Sequence, residues 1–288
     1  MRVANKTVYD MVKFDLARIN EELNRANRVV TTGKRITDLS DDPVRLPEVL
    51  DIKSVLSNLE QLGRNINTGT SWLATSESAL SQVQDLISDT RALCVQMVNG
   101  SINAQQRATA AATVQNTLDE IVSLANTEVN GRYVFAGWKT DTVPFDGDGT
   151  YNGDNHAFAI KIGNDTTVEV GSDGEAVFGP LFTTMSDLKD ALEGNDVGGI
   201  NTAMSNLDND FDHITTKISN IGSKMIRMET KEKIFQDYTV INTDRLSKIE
   251  DADMAAAIID LESRQVVFQA ALASSARVMG LSLVDFLT

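Results

Sequence analysis

VLDIKSVLSNLEQLGRNINTGTSWLATSESALSQVQDLISDTRALC, residues 49–94, carries a seven-residue apolar repeat that sets the fold. Positions seven apart, Ile52, Leu59, Ile66, Leu73, Leu80, Ile87 and Cys94, are all apolar. The column three residues earlier, Val49, Leu56, Gly63, Thr70, Glu77, Gln84 and Arg91, starts apolar and turns polar. Val55, Leu62, Val83 and Met97 partly take its place. A seven-residue repeat held this long predicts one long helix with a seam against other helices. At about 1.5 Å per residue such a helix runs roughly 70 Å, so the expected shape is a rod. One helix cannot bury its own stripe, so the rest of the chain must supply the partner.

That partner is legible downstream. From Met204 the repeat returns as Met204, Leu207, Phe211, Ile214, Ile218, Ile221, Met225, Met228, Glu232, Phe235, Thr239, Asn242, Leu246 and Ile249, interrupted only by Glu232, Thr239 and Asn242. Upstream, Val12, Leu16, Ile19, Leu23, Ala26 and Val30 make one face of an amphipathic helix, and Gly33 is its expected C-terminal stop. Residues 33–43 then read as an irregular link ending in Asp42-Pro43, an N-cap followed by proline. Pro47 predicts that the long helix starts at Leu46 or kinks there. A third helix is expected from about Ala104 to Val129, stopped by Asn130-Gly131.

Between these helical parts the composition changes. Most of the 18 glycines lie between 131 and 199. Arg132–Gly137, then Phe158, Ile160 and Ile162, Val168 and Val170, and Val177 read as short strands, with a short helix over Thr184–Leu192. After Asp251-Ala-Asp253 a last helix carries Met254, Ile258, Leu261, Phe268, Leu272, Ser275 and Met279 on one face, with further apolar surface at Val266 and Val267. The chain ends with Leu281, Leu283, Phe286 and Leu287 among its last eight residues.

The expected fold is therefore mainly α: a long antiparallel helical bundle or coiled-coil rod built from both chain ends, with a small inserted β-rich domain. It divides into 1–43, an assembly helix and link; 44–130, rod helices; 131–200, the β-rich insert; 201–250, the returning rod helix; and 251–288, a second assembly helix. The terminal helices carry more apolar surface than one pair can hide. That predicts an assembly interface at Val12, Leu16, Ile19, Leu23, Leu261, Phe268, Leu272, Met279, Leu281, Leu283, Phe286 and Leu287.

Composition narrows the function. Aromatic residues make up 6% and there are 4 prolines, which suits long helices better than a large β core. The net charge of −15 and the lack of a Lys/Arg cluster argue against nucleic acid and anionic lipid as partners. No run of 18 apolar residues and no secretory signal core is present, so neither a membrane span nor cleaved export is expected. Cys94 lies on the apolar column and reads as a small buried hydrophobe. His156 and His213 have no metal-ligand spacing. The alternation Asp146, Asp148, Thr150, Asn152, Asp154 lacks the glycine and the final glutamate of a calcium loop and reads as turns. No catalytic, cofactor or metal site is expected, and the chain reads as non-enzymatic.

Several motifs point to a family. Thr32-Gly-Lys-Arg-Ile36, Ser40-Asp-Asp-Pro43, Arg64-Asn-Ile66, Glu77-Ser-Ala-Leu80 and Val95-Gln-Met-Val-Asn-Gly100 resemble the N-terminal region of bacterial flagellins. Asn130-Gly-Arg-Tyr-Val-Phe-Ala-Gly137 and the ending Leu281-Ser-Leu-Val-Asp-Phe-Leu287 are similar to the hook–filament junction branch of that superfamily. The resemblance implies a structural protein of the flagellum that forms a ring with copies of itself. Its neighbours would be hook-associated protein 1 on the hook side and flagellin on the filament side. It implies an inner tube made of terminal helices that order on assembly. The spoke to the outer rod would be the link holding Gly33, Lys34, Arg35, Asp41, Asp42 and Pro43. It further implies type III export without a cleaved signal peptide, with a cytosolic chaperone covering the last helix. The rival readings are a flagellin filament subunit and a cytosolic coiled-coil scaffold.

Overall fold

The computed structural model describes residues 2–38, 41–147 and 149–287, and the side chains of these except 2–5, 8 and 278–287. In chain order the elements are α1 (Arg2–Thr32), α2 (Leu46–Met97), α3 (Ala104–Ala125), β1 (Glu128–Val129), β2 (Arg132–Tyr133), β3 (Ala159–Lys161), β4 (Thr167–Glu169), α4 (Gly174–Glu193), α5 (Val197–Glu250) and α6 (Met254–Leu287). The molecule is mainly helical, with two small two-stranded antiparallel sheets, β1–β2 and β3–β4. It forms two compact units, Leu59–Asp237 and Met1–Asn58 with Tyr238–Thr288, and α2 and α5 contribute to both.

The Leu59–Asp237 unit is built on the heptad column. Ile66, Leu73, Leu80, Ile87 and Cys94 of α2 are buried, as are Ile200, Leu207, Ile214, Ile221 and Met228 of α5. The two helices run antiparallel, since partner numbers fall on one helix as they rise on the other. The Thr70 hydroxyl lies 3.7 Å from the Met228 sulfur, Gln84 donates to the Thr215 hydroxyl at 2.6 Å, and Arg91 pairs with Asp208 at 2.5 Å. Each large side chain removed from water contributes roughly 1.5–3 kcal/mol, so the paired stripes dominate this unit's stability. Ile52, Leu59, Leu62 and Val83 are buried too, but Val55 is 45% exposed and is no part of the seam.

The insert departs from expectation. Strands cover only ten of its residues or their immediate neighbours, whereas α4 takes twenty. The helix begins ten residues before Thr184 and includes Val177, which the alternation had marked as strand. Gly174, Gly179 and Pro180 disguise it. Asp173 caps its start, accepting from the Glu175 and Ala176 amides. Pro180 has no amide hydrogen for the Ala176 carbonyl four residues back. His213 of α5 fills that vacancy, its Nε2 lying 2.9 Å from the Ala176 oxygen, so Nε2 carries the proton.

Arg132–Gly137 is likewise not one strand. Only Arg132 and Tyr133 pair with β1, across an Asn130-Gly131 turn whose residues both have positive φ (53° and 75°). Val134, Phe135 and Ala136 are all buried, unlike the alternating burial of a strand with one face in water. Phe135 meets Phe178 edge-on at 4.9 Å, and the insert closes around this aromatic pair, Phe145 and α4. Finally, α5 starts at Val197 rather than in the low 200s. Asp196 receives the Gly198 amide on its side chain and the Ile200 amide on its carbonyl, nucleating the helix despite two glycines.

Candidate assembly interface at the chain ends

The other unit contains every residue expected to act in assembly. Its local structure starts at Gly33, whose φ of +69° ends α1 with the Gly33 amide bonded to the Val29 carbonyl at 2.9 Å. The chain then meets the α5–α6 connection. Lys34 and Asp251 form an isolated antiparallel bridge, the Arg35 amide donates to the Glu250 carbonyl at 2.6 Å, and the Ala252 amide donates to the Gly33 carbonyl at 2.9 Å. Arg35 also donates from its guanidinium to the Ile249 carbonyl at 2.9 Å. Ile36 is buried beside this junction, an anchor that its place in the sequence did not betray.

Glu250 is the charged centre of the clasp. Its carboxylate is buried and accepts Lys34 Nζ at 3.2 Å and Lys53 Nζ at 2.7 Å. A carboxylate at the last residue of a helix opposes the helix dipole, and burying it unpaired would be strongly destabilising. The two ammonium groups offset both costs. A second pair, Glu48 with Arg245 at 3.4 Å, also joins the start of α2 to the end of α5.

The rest of the link is held by its own carboxylates. Asp41 accepts the Thr37 and Asp38 amides at 3.0 and 2.9 Å and the Thr37 hydroxyl at 3.0 Å, with Arg25 3.4 Å away. Burial pushes the Asp41 carboxyl up. The Asp38 and Thr37 amides, the Thr37 hydroxyl and the Arg25 charge outweigh it and hold the group below its ordinary value. Asp42 accepts the Val44 and Arg45 amides at 3.2 and 3.1 Å and turns the chain into α2. Pro43 is exposed, and Pro47 falls in the first turn of α2, where its missing amide hydrogen costs nothing.

The two terminal helices pack antiparallel. Arg264 of α6 pairs with Glu22 of α1 and with Asp260 at 3.2 Å, the α1 end near Gly33 lying by the start of α6. Ala26 and Ser275 are buried. Val12, Leu16, Ile19 and Leu23 of α1, and Leu261 and Phe268 of α6, are half-buried. Leu272 is exposed. Met279, Leu281, Leu283, Phe286 and Leu287 lie on or beyond the last turns of α6, where side chains are outside the described residues.

The pairing leaves a second apolar face on α6. Ile259 and Val266, seven apart, are 67% and 65% exposed, and Ile258 and Val267 flank them. These lie about 200° around the helix from Leu261 and Phe268, at 100° per residue, so α1 cannot cover both. On α1, Tyr9, Met11 and Phe14 are also exposed. The spacing of Ile259 and Val266 was the available signal for this face, and it sits outside the Leu261–Phe268 stripe.

The remaining chemistry is sparse. Burial pushes the Cys94 thiol up to about 11, so it stays protonated near neutral pH. Among the described residues no group of three or more His, Cys, Asp or Glu could hold a metal ion, and no helix is long and apolar enough to cross a membrane.

The bacterial flagellin N-terminal helical region matches residues 4–140, and the bacterial flagellin C-terminal helical region matches residues 204–287. Flagellar hook-associated protein 3 of Salmonella typhimurium is 25% identical, over 98% of both chains. A flagellin of Listeria innocua is 24% identical over 88% of this chain and 87% of its own. The crystal structure of Bacillus cereus FlgL superposes with a TM-score of 0.62 at 25% identity, covering 68% of this chain and 99% of its own. Matched at both helical ends by flagellin regions, and along nearly its full length by a hook-associated protein, the chain belongs to the bacterial flagellin family.

Proposed function

We propose that the chain is a structural protein of the bacterial flagellum that joins the hook to the filament. The observation that carries this reading is the similarity to hook-associated protein 3 over 98% of both chains, against 88% of this chain for a flagellin. Its partners are copies of itself in a ring, hook-associated protein 1 on the hook side and flagellin on the filament side. The uncovered α6 face of Ile259 and Val266 and the exposed Phe14 of α1 supply the apolar surface that such packing requires. Residues 1–43 and 251–288 act as assembly segments, 44–130 and 201–250 as the helical body, and 131–200 as the outward insert. The chain leaves the cell by the flagellar type III route without a cleaved signal peptide, and a chaperone covers α6 until then.

The test is deletion of the gene in a flagellated host. A junction protein predicts hooks without filaments and flagellin released into the medium, both reversed by the intact gene. Normal filaments in the deletion strain would reject the junction role, and short or absent filaments with no released flagellin would favour a filament subunit instead.

A further inference from the structure

Unit Leu59–Asp237 holds a cationic feature that neither packing nor the terminal interface uses. On α5 one column runs Ala203, Asp210, Lys217, Lys224, Lys231, each seven residues from the next. It flanks the buried seam of Leu207, Ile214, Ile221 and Met228, the position at which charged residues select partner helices in coiled coils. Ala203 and Asp210 are buried, with Asp210 facing Thr184 of α4. The helix α4 begins at Gly174, near His213. Past that point the column changes to lysine and its cover ends.

At the N-terminal end of α4 lies a cleft of about 190 Å³, lined by Lys217, Asn220 and Lys224 and floored by Leu80, Val177 and Ile221. Lys217, Lys224 and Lys231 are all half-buried, and none has an acceptor among the described residues. Asp173 also lines the cleft, but its carboxylate is committed to the Glu175 and Ala176 amides. In a chain of net charge −15, two lysines against the one Asp173 carboxylate leave this cleft net positive over an apolar floor.

The complementary surface is on the same chain. Residues 131–200 carry twelve Asp and Glu against four Lys and Arg, a net of −8. Within them α4 exposes Asp187, Asp190 and Glu193 in two turns. Asp187 to Glu193 spans about 9 Å along the helix axis, and Lys217 to Lys224 spans about 10.5 Å. We infer that the Lys217–Lys224 cleft docks the acidic face of α4 from a second copy of this chain, continuing on α5 the cover that its own α4 begins. This inference deepens the proposed self-assembly and rests on it only for the identity of the neighbour.

The test uses the purified full chain at low salt with a carbodiimide, which joins a lysine amine to a carboxyl group at zero length with loss of water. Peptide mapping should find Lys217 or Lys224 joined to Asp187, Asp190 or Glu193 between differently isotope-labelled copies. The double variant Lys217→Glu/Lys224→Glu should cut that yield about tenfold, as should raising the salt to 0.5 M, since exposed ion pairs are screened. Mixing it with Asp187→Lys/Asp190→Lys/Glu193→Lys should restore cross-linking between the two variants. Cross-links mapping elsewhere, no cross-links, or a yield indifferent to charge reversal would each overturn the inference. This readout needs no flagellum, so its failure is distinct from failure of the junction reading.

Discussion

Asp210→Asn should make the protein more stable at neutral pH, although it removes a charged residue from a helical protein. Asp210 is 6% exposed, and its Oδ2 has no hydrogen-bond partner. Burial raises its pKa above the ordinary value of 3.8, and the Thr184 hydrogen bond and the His213 charge only partly oppose the rise. Thr184 already donates its hydroxyl to the Pro180 carbonyl at 3.1 Å, so it has little left to offer a carboxylate. Linkage sets the sign. A carboxyl whose folded pKa is raised favours folding fully only below its unfolded value. That contribution is lost as pH rises through the folded value, after which ionised Asp210 is a constant burden. Asparagine keeps the shape and removes the titration, leaving one amide imperfectly bonded.

An unsatisfied buried polar atom costs about 1–3 kcal/mol, more when charged, so the net gain at pH 7.5 should be about 1 kcal/mol. Near pH 3.5 it should vanish or reverse. The assay is urea unfolding followed by tryptophan fluorescence at both pH values. Trp72 and Trp138, the only tryptophans, both lie in the Leu59–Asp237 unit and report on it alone. A variant less stable than the parent at pH 7.5, or a difference independent of pH, would mean that the buried Asp210 carboxylate carries no such cost.

Other substitutions probe separate links. His213→Ala should cost about 1 kcal/mol by orphaning the Ala176 carbonyl. Pro180→Ala in that background should recover most of it by restoring the missing amide donor, so a double-mutant cycle must show coupling, and additive effects would contradict it. Glu250→Gln should speed hydrogen exchange at the Arg35 and Ala252 amides by loosening the clasp, while leaving urea unfolding by tryptophan fluorescence unmoved. Ile259→Asp with Val266→Asp should leave helicity within error of the parent by circular dichroism yet block incorporation into flagella. A large loss of helicity would instead put that face in the folded core. Deleting Leu281–Thr288 should likewise leave a soluble helical chain that no longer supports filaments, and normal filaments would argue against an assembly role for the last helix.

The long helices were legible because their signal is redundant. All seven apolar members of the Ile52-to-Cys94 column are buried, and no single residue had to be read correctly for the helix to be found. The insert was harder because its signals are local and conflict. Val177 reads as strand where Asp173 in fact starts a helix, and it is His213, 37 positions from Ala176, that satisfies the carbonyl the proline abandons. Val134–Ala136 are buried in succession by aromatic packing that no period-two pattern encodes. At the chain ends, periodicity marked one stripe each on α1 and α6. It gave no hint that the links after α1 and α5 hydrogen-bond to each other, because Lys34, Arg35 and Glu250 look like ordinary surface charges in sequence. The second α6 face needed the structure to show which stripe α1 covers.

The most direct measurement is immunogold labelling of isolated hook–filament particles with antibody raised against residues 131–200. A hook–filament junction protein predicts gold confined to the distal end of the hook, where the filament begins. Gold along the whole filament would make this chain a flagellin, and unlabelled particles with the protein retained in the cytosol would remove it from the flagellum.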